Sequence, residues 1–312
     1  MTDDVLGPGW TSTTLTLRPD GVEPDPVATL VRRVADPSRR AVLYVHGFVD
    51  YFFQTHVGDA FVGAGYDFAA LDLRDFGRSI RPGRRPNSPT DLGRLAEEID
   101  AAVRILRADH DQVVLMGHSM GGLVSALWAD ARPGVVDAVV LNSPWLDLRG
   151  NWFERTVATG LLDVVGRVAP SLPVAKLGEH YGPALHASTG GEWDYDLAWK
   201  PFEGFPVTAG FIRTVRRGHA RVARGLAIDA PVLVLASDAN GPDDRWHEQL
   251  VTTDSVLDVA HIAARAALLG PDVTFVEIPG GAHDLALSPS PARERYLDEV
   301  LRFLDARLAP ER

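Results

Sequence analysis

The chain has 312 residues, 46% of them hydrophobic, and a formal net charge of -11; this fills one large domain with an insertion or two ordinary domains, and it disfavours a nucleic-acid partner. The absence of cysteine removes disulfides, thiolate metal sites and cysteine nucleophiles from consideration. Residues 1–9 lack an apolar targeting core and no later run approaches the ~18 apolar residues of a membrane span, so a soluble cytoplasmic protein is expected.

Taken in order, Thr11 to Leu17 alternates polar and apolar residues and Val27 to Val34 is rich in β-branched ones, which predicts two early strands, antiparallel at a sheet edge. Short buried-type strands follow at Ala41 to Val45, Asp67 to Leu71, Val113 to Met116, Ala138 to Leu141, Val232 to Ala236 and Val273 to Ile278. Between them lie stretches with apolar residues at every third and fourth position, predicting helices at Leu92 to Leu106, capped by Thr90 or Asp91, and at Met120 to Ala131, Ser255 to Leu269 and Ala292 to Leu308. This alternation predicts an α/β fold with a doubly wound, mostly parallel central sheet flanked by helices. About ninety residues separate the strands ending at Leu141 and starting at Val232, far more than a crossover needs. Residues 148–207 are therefore expected as an inserted helical lid, with residues 1–147 and 208–312 as the core. The insertion is expected to be helical over Asn151 to Val168 and looser over Gly178 to Phe205, with Val207 to Leu226 as the helix returning to the sheet.

Gly117-His118-Ser119-Met120-Gly121 sits at a strand-to-helix corner, where flanking glycines allow a turn tight enough to lift the serine hydroxyl above the sheet. A serine hydroxyl is a poor nucleophile near neutral pH and needs a histidine base held by a carboxylate, in chain order Ser, acid, His. His283, in the loop Pro279 to His283 after the last strand, fits the base, because reaction sites of open α/β sheets gather at the carboxyl edge. For the acid, Asp238 and Asp254 compete, with Asp258 behind them; Asp254 also suits a plain helix N-cap. The backbone N–H groups of Phe48 and Met120 are candidate oxyanion donors, and His46 and His118 are read as packing and hydrogen-bonding residues. Tyr51, Trp145 and Trp152, with their apolar neighbours Phe52, Phe53, Leu146 and Phe153, are candidates to line a substrate pocket.

Four motifs in order carry a family likeness: His46-Gly47, the turn Asp72-Leu-Arg-Asp-Phe-Gly-Arg-Ser79, the Gly117 to Gly121 corner, and Gly281-Ala282-His283. The chain resembles the α/β-hydrolase superfamily, and within it the lid-bearing monoacylglycerol lipase and serine aminopeptidase (Hydrolase_4) group. The resemblance implies a serine hydrolase that needs neither cofactor nor metal and cleaves carboxylic esters of small molecules with a hydrophobic acyl group through an acyl-enzyme. The run Asp254-Ser-Val-Leu-Asp258 is similar to the group's acid loop, which favours Asp254. Departures are Phe48-Val49-Asp50-Tyr51 where the lipases read x-G-E-H, Asp75 in place of a turn glycine, and an insertion of about Ala239 to Val251 before the acid. The rivals are an aminopeptidase, which would read a free amine through Glu179, Glu192, Asp194 or Asp196, and a non-catalytic ligand-binding relative.

Overall fold

A computed structural model describes residues 2–34, 38–149, 163–175 and 178–308. Nine strands form one sheet: β1 (Thr2–Asp3), β2 (Thr11–Thr16), β3 (Val27–Arg33), β4 (Arg40–Val45), β5 (Asp67–Asp72), β6 (Gln112–His118), β7 (Ala138–Asn142), β10 (Val232–Ser237) and β11 (Val273–Ile278). Their order is β1-β2-β3-β5-β4-β6-β7-β10-β11. The pairs up to β3 and β5 are antiparallel and every later neighbour is parallel, so the early strands do lie at an antiparallel edge.

Alternation along the strands feeds two apolar layers. Leu43 and Val45 of β4 face one layer with the helices Ala96–Asp109, Met120–Asp130, Ala209–Ala223 and Val259–Ala266. Val42 and Tyr44 face the other, with the helices Thr55–Gly63 and Ala292–Arg307. The helix Thr55–Gly63 has no counterpart in the sequence reading. It is nine residues long with glycines at 58 and 63, a weak helix former by propensity, and Gly58 is there because a Cβ would overlap the Trp10 ring.

Several expected boundaries move for local reasons. The stretch from Leu92 opens as a 3-10 turn, Leu92–Leu95, capped by Asp91, whose carboxylate accepts the Gly93 N–H. The helix expected from Ser255 starts at Val259, because Asp258 is the residue that caps it by accepting from Ala260. The returning helix starts at Ala209, since Val207–Thr208 is β9, paired with β8 (Pro173–Ala175) to close the neck of the insertion. Of the expected helix Asn151 to Val168, residues 163–168 are helical and residues 151–162 lie outside the described ones. Among the described residues, no helix is long and apolar enough to cross a membrane.

Further along the segment between β7 and β10, described residues pack against the loops at the sheet edge. Leu185 and Tyr195 are buried against Tyr51, Phe53 and Leu287, and the Trp193 indole N–H donates to the Leu287 carbonyl at 2.9 Å. The corner after β6 is tighter still. A Cβ on Gly121 would overlap the Val45 and His46 carbonyls, and one on Gly117 would lie 2.6 Å from the Gly121 carbonyl. Gly121→Ala should therefore destabilise the protein by about 3 kcal/mol or more, measured as a drop in urea midpoint; a change under about 0.5 kcal/mol would contradict this packing.

Candidate active site

Ser119 turns the chain from β6 into the helix Met120–Asp130 with φ 51° and ψ −115°, a conformation that side chains rarely adopt. The turn is over-determined: Ser119 donates its N–H to the Asn142 carbonyl at 3.0 Å, and its own carbonyl accepts the Trp145 N–H at 2.9 Å. Its hydroxyl lies 3.1 Å from His283 Nε2, and His283 Nδ1 lies 3.0 Å from Asp254 Oδ2. An ionised carboxylate only accepts, so Nδ1 carries the imidazole proton and Nε2 faces the serine as an acceptor. All three side chains are buried.

The acid arrives by an indirect route. The carbonyl of Ala239 accepts the Asp254 N–H and the carbonyl of Asp254 accepts the Gly241 N–H, both at 2.9 Å. The inserted loop thus folds back on the acid and returns it to the sheet edge. Asp254 Oδ1 takes the N–H groups of Val256 and Leu257 at 2.9 and 2.7 Å, which leaves Oδ2 for the histidine. Asp238, the competing acid, instead accepts the Gly280 N–H at 3.0 Å in an exposed position.

The loop after β4 passes in contact with Ser119, since a Cβ on Gly47 would sit 3.3 Å from Ser119 Cβ. His46 pins this loop: Nδ1 donates to the Gly47 carbonyl at 2.7 Å and Nε2 accepts the Leu73 N–H at 3.1 Å. Burial lowers the His46 pKa and keeps the ring neutral, as this bonding requires. A second brace comes from the turn after β5. Asp72 accepts the Phe52 N–H at 3.0 Å, and Arg78, bound to Asp72 and Asp4 at 2.8 Å each, donates to the Phe52 carbonyl. At the turn glycine position of the lipases, Asp75 takes a φ of 64° and is held by Arg84.

A cavity of about 540 Å³ opens over Ser119. Phe48, Trp145, Phe202, Leu250 and Leu257 make much of its wall apolar. Trp145 is set by His219, which donates Nε2–H to the Trp145 carbonyl at 2.8 Å and whose pKa burial pushes down to about 3. The Phe48 ring stacks on Phe211 at 4.4 Å. Tyr51 stands behind the wall, contrary to its expected place: its hydroxyl accepts the Asp196 N–H at 2.7 Å and its ring packs on Phe53 and Trp199. Phe52 is likewise buried, against Trp10, while Trp152 and Phe153 lie outside the described residues.

Another part of the wall is polar and escaped the sequence reading. It joins Asp50, His118, Tyr181, Lys200 and Asp284. The Lys200 ammonium from the insertion meets Asp50 Oδ1 at 2.6 Å, while the buried Asp50 Oδ2 has no hydrogen-bond partner. Asp284 accepts from the Asn142 amide at 2.7 Å and from the Gln54 amide at 3.0 Å. Single atoms of Asp50, His118 and Asp284 lie within 4.8 Å of one another, as a metal site would require, while Lys200 already engages one Asp50 oxygen and the two amides donate to Asp284. Apart from Asp50, which occupies the lipases' glutamate position, these groups meet only in the folded chain, from positions up to 230 residues apart.

The chain matches the family described as serine aminopeptidase, S33 (Hydrolase_4), over residues 36–289. It is 28% identical over 280 residues to a monoacylglycerol lipase of Mycolicibacterium smegmatis, spanning 88% of this chain and 90% of that one. A solved monoacylglycerol lipase of Paleococcus ferrophilus superposes with a TM-score of 0.67 at 20% identity, covering 96% of this chain and 99% of that one. A soluble variant of monoglyceride lipase from Saccharomyces cerevisiae gives 0.71 at 17%, covering 96% of each.

Two buried carboxyls govern how this region responds to acid. Burial pushes Asp254 up, but the His283 ring and the two backbone N–H groups outweigh it and hold the carboxyl below its usual range. Asp284 behaves alike, through His118 and the Gln54 and Asn142 amides. In the unfolded chain such a group titrates near 3.8. The contribution of both to stability is therefore complete above about pH 4 and is lost as pH falls through the lower folded values. Urea unfolding followed from pH 7 to pH 2 should show stability falling below about pH 4, with Asp284→Asn giving a shallower acid limb than wild type; parallel limbs would contradict this assignment.

Proposed function

The chain belongs to the serine aminopeptidase S33 (Hydrolase_4) family of α/β-hydrolases, and from that premise we propose that it is a serine esterase acting on small carboxylic esters with a hydrophobic acyl group. The observation that carries this reading is the buried line from Ser119 Oγ through His283 to Asp254 at the floor of a largely apolar cavity.

In this reading His283 Nε2 takes the Ser119 hydroxyl proton as Oγ attacks the ester carbonyl carbon. The carbonyl oxygen becomes an oxyanion, stabilised by the backbone N–H groups of Phe48 and Met120 on either side of Ser119. The tetrahedral intermediate collapses, His283 returns the proton to the departing alcohol, and an acyl-enzyme remains. Water, deprotonated by His283, then releases the acid and regenerates the serine. Asp254 keeps Nδ1 protonated and stabilises the imidazolium in both halves of the cycle.

The two kinds of cavity wall suit the two halves of such a substrate. The acyl chain lies along Phe48, Trp145, Phe202 and Leu257, beneath residues 148–207 acting as a lid on the core of residues 1–147 and 208–312. The alcohol lies beside His118 and Asp50, where the unpartnered Asp50 Oδ2 accepts from a hydroxyl. The relatives named as monoacylglycerol lipases support a hydroxyl-bearing alcohol of this kind. The amide-cleaving alternative loses support, because none of the four acids expected to read an amine lines the cavity; Glu192 is paired with Arg293, and Asp196 accepts the Ala198 N–H.

Ser119→Ala should abolish turnover of p-nitrophenyl esters with the fold intact by circular dichroism. Asp254→Asn should lower kcat about 10⁴-fold, whereas Asp238→Asn should stay within about threefold of wild type. Full activity of Ser119→Ala would refute the assignment. Replacing Asp50 by Ala should raise KM about tenfold for a monoacylglycerol and leave KM for the matching ethyl ester unchanged; equal shifts on both esters would remove Asp50 from alcohol recognition.

A further inference from the structure

The histidine of the site is held by its neighbours in the chain, and one of their anchors comes from the insertion. On its N-terminal side, the Ala282 N–H donates to Ser288 Oγ at 2.9 Å. On its C-terminal side, the Leu285 N–H donates to Asn142 Oδ1 at 3.2 Å, and the Asp284 side chain is fixed by Asn142 and Gln54. These partners belong to the core. A further anchor is the N–H of Asp284, the residue bonded directly to His283, which donates to the Tyr181 hydroxyl at 2.9 Å. Tyr181 opens the short helix Tyr181–Leu185 of the insertion, and its ring stands edge-on to the His283 imidazole with centroids 6.0 Å apart.

We propose that Tyr181 is a positioning residue for His283: the insertion, through this hydroxyl, seats the base against Ser119, so that an insertion in place is a condition for proton transfer as well as a cover for substrate. This rests on the reading of Ser119 and His283 as nucleophile and base. The physical argument is geometric. A peptide plane next to the imidazole is rigid, so moving the Asp284 N–H moves the His283 Cα, and the 3.1 Å contact to Ser119 Oγ lies at the end of that lever. Burial among Asp284 and Asp254 holds the Tyr181 phenol far above its ordinary pKa, so the hydroxyl keeps its proton and remains a neutral acceptor over the working pH range. The insertion itself is fixed by other contacts: the Trp193 indole N–H donates to the Leu287 carbonyl and the Asp196 N–H to the Tyr51 hydroxyl, while inside it the Tyr195 hydroxyl donates to the Gly182 carbonyl at 2.8 Å. A seated insertion therefore presents Tyr181 at a defined point.

The test compares wild type, Tyr181→Phe and Trp193→Phe, the last removing an insertion-to-core hydrogen bond that does not involve the residues flanking His283. The readouts are the second-order rate of Ser119 labelling by a small fluorophosphonate, and kcat and KM for p-nitrophenyl acetate and p-nitrophenyl decanoate. Tyr181→Phe keeps the ring, so its circular dichroism should match wild type, with Tm lowered by a few degrees for the buried N–H left without an acceptor. Its labelling rate should fall ten- to a hundredfold, kcat should fall by the same factor on both esters, and KM should stay within twofold. Trp193→Phe should label within twofold of wild type. The proposal is overturned if Tyr181→Phe labels as fast as wild type, if its defect is confined to KM for decanoate, as a mere substrate contact would give, or if Trp193→Phe loses as much. Wild type that fails to label at Ser119 defeats the underlying reading instead, and the wild-type arm separates the two failures.

Discussion

At the end of β6 the chain reverses at Ser119 with a φ of 51°, and it can do so only because the glycines at 117 and 121 let the following helix press against the carbonyls of Val45 and His46. That crossing brings the tip of β6 and the loop after β4 within van der Waals contact, so the serine and the backbone beside Phe48 have fixed relative positions before any side chain is chosen. The rest of the region serves to keep this arrangement from relaxing. Asn142 and Trp145 hold the Ser119 peptide groups from the β7 side. His46 and the Asp72–Arg78–Asp4 chain hold the loop from the β5 side. A strained residue survives where its surroundings leave it no alternative, and here both flanks are bolted to neighbouring strands.

Charge is handled with the same economy. Buried carboxylates at 72, 254 and 284 each accept from several donors, and none is left to water. A buried acid without such partners would take up a proton instead. Asp50 is the partial exception, because one of its oxygens is paired with Lys200 while the other is buried without a donor in a residue that lines the cavity. An unmet acceptor in an otherwise compensated wall is the kind of defect that a substrate group can repair, which is why the alcohol half of the substrate is assigned there.

Much of this was legible in the residues. Buried strands show as short apolar runs, and the serine corner and the histidine loop show because tight turns need glycine at fixed offsets. The nine-residue helix from Thr55 did not show, since two of its nine residues are glycine and one of these, Gly58, serves a contact with Trp10 rather than helix formation. Tyr51 was misplaced because an aromatic residue near a sheet edge reveals its burial but not the direction of its ring. Asp254 was open to doubt for a related reason: its neighbour Asp258 caps the next helix, and a capping acid and a histidine-binding acid look alike in sequence. Tyr181 and Lys200 left no trace, because their partners lie 103 and 150 residues away and depend on how the insertion docks.

The fold-back of residues 239–241 onto residue 254 has a bearing on how such an enzyme changes over generations. The carboxylate's position is set by pairing at the base of the loop and by amides at 256 and 257, not by the number of residues between β10 and the acid. The intervening stretch, which places Asp243, Asp244 and Leu250 in the cavity wall, is thereby separate from the contacts that hold the carboxylate against His283. It forms a cassette whose length and composition can drift, or be exchanged by an engineer, to admit different molecules while the chemistry below stays in register.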